Sequence, residues 1–140
     1  MKPQAIPKQQ SGVMLIEALI AILIFAVGIL GIVGLQANAV KQVTDARFRS
    51  DAALLANQLI GSMWVTDRTT ATLQASFNTG NPAYTTWKDT VMATLPVPST
   101  YPPLVNVDPS NIVTVTLYWL APNEPATAEA HKYVAIAQIK

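Results

Sequence analysis

The longest feature of the hydrophobic pattern is an uninterrupted apolar run. From Ala18 to Leu35 no side chain is polar, and between Lys8 and Lys41 the only ionisable side chain is Glu17. As a helix, this run would span about 27 Å, which is close to the thickness of a bilayer core. The run therefore predicts a membrane-spanning helix. A cleaved secretory signal would have a shorter apolar region and a small-residue cleavage site, which Gln36–Ala39 matches poorly.

The next segment is amphipathic. Its apolar residues recur at the 3.6-residue period of a helix with one apolar face. This stripe consists of Phe48, Ala52, Leu55, Leu59 and Met63, with Ala56 and Ile60 beside it. We expect one helix from about Met14 to Val65, with its first half in lipid and its second half packed on a small head. Asp45 and Arg49 are expected to form an i,i+4 ion pair.

The remaining residues predict a small head with little helix. Thr66–Pro82 is rich in Thr, Asn and Ser and predicts a loop. Apolar residues at helical spacing between Tyr84 and Leu95 predict a short helix. The proline-rich segment that follows predicts extended chain, with a short edge strand at Leu104–Val107.

Two strands are predicted near the end of the chain. Residues 112–120 alternate threonines with larger apolar side chains, which is typical of a strand with one buried face. The Pro/Asn/Glu segment Ala121–Ala128 predicts a turn, and residues 131–139 predict the second strand. A small antiparallel sheet needs a cover, which the helical stripe would supply. The predicted fold class is α+β: a long N-terminal helix packed on a small antiparallel β-sheet head.

Composition and charge exclude most catalytic classes. Charged residues make up only 12% of the 140, against about 25% in average soluble domains. The formal net charge is +1 and the charges are scattered, so nucleic acid is not an expected partner. There is no cysteine, which excludes disulfides, thiolate zinc sites and cysteine nucleophiles.

Outside the apolar run, few residues could bind a metal or a ligand, and we expect structural roles for them. The single histidine, His131, is expected to be a surface residue at the start of a strand. Trp64, Trp87 and Trp119 are expected to pack in the core or near the membrane. No motif for phosphate binding, hydrolysis or zinc binding occurs. We expect no catalytic residues, no metal, no cofactor and no enzymatic activity.

A specific motif surrounds the start of the apolar run. The segment 11–22, Ser-Gly-Val-Met-Leu-Ile-Glu-Ala-Leu-Ile-Ala-Ile, resembles the class III signal of type IV pilins. That pattern is a basic leader ending in Gly, an apolar first mature residue, and Glu at the fifth mature position. Here Gly12 would end the leader, Val13 would begin the mature chain, and Glu17 would be fifth. Val13 departs from the pattern, because the family usually has Phe or Met there.

Three further stretches resemble one group within the type IV pilins. Residues 28–37 and the stretch AALLANQLIGSM at 52–63 are similar to the PilV-type minor pilins, as is, more weakly, the VTVTLYW strand at 113–119. The resemblance implies a cleaved leader at 1–12, a transmembrane and filament-core helix at 13–38, and a periplasmic head at 39–140, whose amphipathic helix is 39–65.

The resemblance also implies roles for three residues. Prepilin peptidase would cut between Gly12 and Val13, Val13 would be N-methylated, and Glu17 would dock the subunit in the filament. The residue types fit these roles. Glycine has no side chain, so a peptidase can approach the backbone closely at Gly12. A carboxylate inside an apolar helix needs a partner, and the amine freed at Val13 could supply it. The alternative is that Glu17 is simply solvated at the headgroup boundary.

The implied function is that of a minor pilin, a structural subunit in the assembly, priming or modification of type IV pili. Its partners would be other pilins, prepilin peptidase and the inner-membrane pilus assembly platform. It would sit in the bacterial inner membrane, with its C-terminal domain in the periplasm, and then move to the pilus. The alternatives are a pseudopilin of a type II secretion system and, third, an unrelated single-span receptor or enzyme subunit. A head without cysteine favours a minor role, because many major pilins close their last loop with a disulfide.

Overall fold

The computed structural model describes residues 11–122, 124, 125 and 127–140. Most of the predicted leader, 1–12, therefore lies outside the described residues. The elements in chain order are α1 (Ser11–Trp64), α2 (Thr70–Phe77), α3 (Pro82–Thr94), β1 (Leu104–Val107), β2 (Ile112–Trp119) and β3 (His131–Gln138). The α+β class, a long N-terminal helix with a small antiparallel sheet, is confirmed. The chain divides into two units, up to Val40 and from Lys41 onward.

The first unit is the apolar part of α1. Its large hydrophobic side chains from Val13 to Leu35 are exposed. The most apolar window of α1 has a mean hydropathy of 3.0, and none of it is buried. By length and composition this helix could cross a membrane, as the apolar run predicts.

The second unit begins with the amphipathic part of α1, whose stripe is confirmed. Ala52, Leu55, Ala56, Leu59 and Met63 are buried, and Phe48 and Ile60 pack against them. The predicted Asp45–Arg49 pair is wrong. The i,i+4 pair joins Arg47 Nε to Asp51 Oδ2 at 3.7 Å, and Asp45 instead contacts β3.

The prediction that 66–82 is a loop is wrong, because α2 lies within it. Thr69 caps this helix, since its side-chain oxygen accepts a hydrogen bond from the Thr72 N–H at 3.4 Å. Leu73 and Phe77, four residues apart, are the buried residues of α2 and join the core of the second unit. Two turns of helix thus form because one cap and one apolar pair anchor them.

The predicted helix at 84–95 is confirmed as α3. It starts with Pro82, whose fixed φ and missing N–H suit the first helical position. Its buried residues are Tyr84, Trp87 and Val91. The Trp87 Nε1–H donates to the Leu55 carbonyl oxygen at 2.9 Å, so the buried indole ties α3 to α1.

The three strands form an antiparallel sheet in the order β1-β2-β3, with both predicted strands and the edge strand present. Val115 at the centre pairs with Val105 on β1 and Ala135 on β3. The inward residues of β2 are fully buried in the same core as the helical stripe, as predicted: Val113, Val115, Leu117 and Trp119.

The turn between β1 and β2 is fixed by a side chain. Asp108 Oδ1 accepts hydrogen bonds from the N–H groups of Ser110 at 2.7 Å and Ile112 at 2.8 Å. Asn111 has a φ of 57°, in the left-handed region that asparagine tolerates better than most residues. This turn sets the register that buries alternate residues of β2.

Candidate functional site

The predicted processing residues lie in the first turns of α1. Val13 is 66% exposed, and its large apolar neighbours are exposed as well. A Cβ added at Gly12 would meet nothing within 4 Å among the described residues. Packing within this part of the chain therefore does not require glycine at position 12. A partner molecule could approach the backbone closely there, because glycine has no side chain.

Glu17 lies one helical turn after Val13 and shares its face of α1. The side chains that surround it on this face are Val13, Ile16, Ile20, Ala21 and Ile24. Among the described residues, none donates a hydrogen bond to Glu17 or forms an ion pair with it. A carboxylate in an apolar helix is costly inside lipid, so there it would need a partner supplied from elsewhere or a place at the solvated headgroup boundary.

The glycines of the apolar segment are also unconstrained by packing. Gly28, Gly31 and Gly34 each have open space where a Cβ would stand, as judged against the described atoms. Small residues of this kind let a neighbouring helix approach closely in a membrane.

A polar cluster in the second unit centres on His131, the first residue of β3. As expected, His131 starts a strand and is partly exposed, but its ring also makes specific contacts. The ring is half-buried and stacks on Trp119, with centroids 5.6 Å apart and planes inclined by 14°. Its Nε2 lies 2.9 Å from Glu124 Oε2, and its Nδ1 lies 3.5 Å from Asp45 Oδ1.

Glu124 connects this cluster to α1 and to its own loop. Its side chain is only 10% exposed, and its Oε1 lies 3.4 Å from Lys41 Nζ. Its Oε2 also accepts a hydrogen bond from the Ala121 N–H at 3.3 Å. The hydrogen bond from His131 lowers the pKa of Glu124 below its ordinary value, and the contacts with Lys41 and Ala121 act in the same direction.

The cluster has a geometry suited to protons rather than metals. Asp45 and Glu124 contact opposite nitrogens of the His131 ring, so their oxygens do not converge on one point. Among the described residues, no group of three ligand side chains could hold a metal ion. The sequence offered no sign of this cluster, because its members come from α1, the 120–130 loop and β3.

The second unit also carries an apolar groove of about 400 Å³ between α1, α2 and α3. Phe77, Leu59 and Trp87 contribute apolar surface to it, and its other lining residues are uncharged: Gln58, Ser62, Ala83, Thr86 and Thr90. The three hydroxyl groups donate to carbonyl oxygens three or four residues earlier in their own helices. The groove therefore has no charged group that would select a ligand.

Comparisons with protein-family models, curated proteins and solved structures found no match to this chain.

Proposed function

We propose that this chain is a minor pilin, a structural subunit that takes part in the assembly, priming or modification of type IV pili. The observation that supports this proposal most is the exposed apolar segment of α1, interrupted by one carboxylate, Glu17. The fold supports it further, because a long N-terminal helix and a small antiparallel sheet form a pilin-like α+β layout.

The apolar segment suits a subunit that moves between a membrane and a filament. Each of its large side chains would cost about 1.5–3 kcal/mol to leave in water. Lipid tails and the apolar side chains of neighbouring helices are similar environments. A subunit can therefore leave the bilayer for a bundle of such helices with little loss of apolar contact. We assign the segment 13–38 both roles, a membrane anchor before assembly and filament core afterwards.

Apolar packing fixes the axial register of such a bundle poorly, and Glu17 supplies what packing lacks. Cleavage between Gly12 and Val13 would create an amine one turn from Glu17, on this chain or on its neighbour. Opposite charges 4 Å apart attract by about 4 kcal/mol at an effective dielectric constant of 20. Desolvation offsets much of this attraction, so the net gain is modest. Loss of one partner, however, leaves the other charge buried alone, which is the costlier state.

The proposed location follows from the same residues. The chain would sit in the inner membrane as a single-pass protein with its head in the periplasm, and would then enter the pilus. Its partners would be prepilin peptidase, the assembly platform of the inner membrane, and other pilins through α1. A pseudopilin of a type II secretion system would use the same N-terminal residues, so the experiment must separate the two filaments.

The test is incorporation of Glu17→Gln, which keeps the volume of the side chain and removes its charge. The variant replaces the native copy in the source bacterium, and sheared pili and membranes are probed for the subunit separately. We expect Glu17→Gln to reach the membrane at normal levels and to be nearly absent from pili. Leu19→Met is the matched control, because residue 19 lies about 200° around the helix from residue 17 and the change adds no charge.

Two outcomes would contradict the proposal. Normal incorporation of Glu17→Gln would show that its charge does not set the register. Wild-type subunit that is present in membranes but never in sheared pili would contradict the pilus assignment. A secretion defect on deletion of the chain would then favour the pseudopilin.

A further inference from the structure

The cluster around His131 contains more acceptors than a neutral imidazole can satisfy. The ring faces a carboxylate at each nitrogen, and an ionised carboxylate only accepts hydrogen bonds. A neutral ring has one N–H group and can donate to one of the two. An imidazolium has two and can donate to both. The contacts of β3 with α1 therefore depend on the charge of this ring.

We propose that His131 is a proton-gated clamp that fastens β3 to α1 through Asp45 in mildly acidic medium and releases that contact at neutral pH. The inference concerns the head alone and does not depend on the pilin proposal.

The two distances identify which contact is gated. Nε2 lies 2.9 Å from Glu124 Oε2, so a neutral ring places its one proton there. Nδ1 lies 3.5 Å from Asp45 Oδ1, and this oxygen is buried without a hydrogen-bond partner among the described atoms. A second proton on the ring would meet that oxygen. Acidification thus supplies the donor that Asp45 lacks.

The second proton also changes the net charge of the cluster. Among the described residues, the charged groups that face the ring are Asp45 from α1 and Glu124 from the 120–130 loop, and β2 contributes the uncharged Trp119. Lys41 of α1 contacts the far oxygen of Glu124. With a neutral ring, one cation and two carboxylates leave the cluster at −1. With an imidazolium, the cluster is neutral.

Glu124 keeps its contacts whether the His131 ring is neutral or protonated. The contact that changes is the one between His131 and Asp45. The Ala121 N–H and Lys41 hold Glu124 whatever the charge of the ring. The hydrogen bond from His131 lowers the pKa of Glu124 below its ordinary value, so this carboxylate stays ionised in mildly acidic medium.

The sequence makes the test unusually clean. The chain has one histidine and no cysteine, so no second imidazole and no thiol contributes to a difference between pH 5.5 and pH 7.5. Thermal unfolding of the full chain in a mild detergent is measured at both values. We expect the wild type to melt about 4–8 °C higher at pH 5.5, the shift that an ion pair of about 1 kcal/mol gives a domain of this size.

Three variants show which residues cause the higher melting temperature at pH 5.5, which is called the acid-dependent gain below. Asp45→Asn and His131→Gln should each abolish it, because the first removes the acceptor charge and the second removes the titrating group. Asp51→Asn is the matched control, since Asp51 lies on the same helix, pairs with Arg47 and should keep the full gain. Nitrogen-15 spectra of the single His131 ring supply a direct readout. At pH 5.5 both ring N–H groups should be protected from exchange in the wild type.

The proposal would be overturned by either of two results. One is an acid-dependent gain that survives in Asp45→Asn. The other is a wild type whose gain does not exceed that of His131→Gln. Thermal unfolding and the nitrogen-15 spectra both report on the folded head, so neither measurement depends on whether the chain enters a pilus.

Discussion

Leu59→Asp places a carboxylate in the middle of the helical stripe. Leu59 is 3% exposed and belongs to the core that joins α1 to the sheet. It also lines the groove of about 400 Å³, so water can approach one side of the new carboxylate. The groove therefore limits the cost of this substitution relative to one deeper in the core.

The expected magnitude has two parts. Removing the buried leucine side chain costs about 2.5–3 kcal/mol, near the lower end of the range for such changes, because the groove relieves the cavity. Placing a carboxylate there adds about 1–2 kcal/mol, since it is only partly desolvated. The total is about 4 kcal/mol, a large part of the stability of a small domain. At about 4–8 °C per kcal/mol, the melting temperature should fall by about 16–30 °C.

Near-ultraviolet circular dichroism of the full chain in mild detergent follows this unfolding, because Trp87 and Trp119 are packed in the head core. Leu54→Asp is the matched control. It makes the same change on the same helix at a position that is 68% exposed, and should shift the melting temperature by only a few degrees. Equal small shifts for both variants would show that the stripe does not pack on the sheet, and the reasoning would fail.

Four shorter predictions follow from other features of the chain. Gly12→Val should leave the leader attached, whereas mass spectrometry of the wild type should find a chain that begins at Val13. A fragment of residues 41–140 should fold alone, with dispersed amide resonances, because the core of the head lies within it. Tyr84→Phe should destabilise the head by about 1–2 kcal/mol in denaturant titration, because the buried Pro103 carbonyl loses its 2.8 Å hydrogen bond. Since the folded state lowers the pKa of Glu124, its contribution to stability is present above the ordinary carboxyl range and is lost as the pH falls through the lower folded value. Glu124→Gln should weaken that loss, as measured by unfolding between pH 3 and 6.

The features that the sequence predicts well are those with a strong periodic signal. The apolar run specifies a membrane-compatible helix without reference to the rest of the chain. The stripe from Ala52 to Met63 and the alternation in β2 specify which faces are buried, because one buried face imposes a period of 3.6 in a helix and 2 in a strand. Gly12, Val13 and Glu17 are identified by their resemblance to the type IV pilin signal, and the roles assigned to them stay predictions. The structure adds that their surroundings are apolar and exposed.

The features that sequence analysis missed depend on contacts between distant residues. α2 has only eight residues, rich in Thr and Ser, and its stability comes from the burial of Leu73 and Phe77 rather than from local propensity. The His131 cluster joins three separate elements, and no local spacing reveals such a meeting. The expected Asp45–Arg49 pair failed for the same reason, because a partner from β3 lies against Asp45.

The order of the core residues along the chain has a consequence for biosynthesis. The core of the head runs from Ala52 on α1 to Ile139, just after β3, and both are almost completely buried. A chain that emerges from its N-terminal end presents the apolar stripe of α1 long before the strands that cover it exist. The contacts between stripe and sheet also join residues far apart in sequence, which slows their formation. The head therefore cannot complete its core until β3 and Ile139 have been released, and the stripe stays accessible to chaperones throughout that interval.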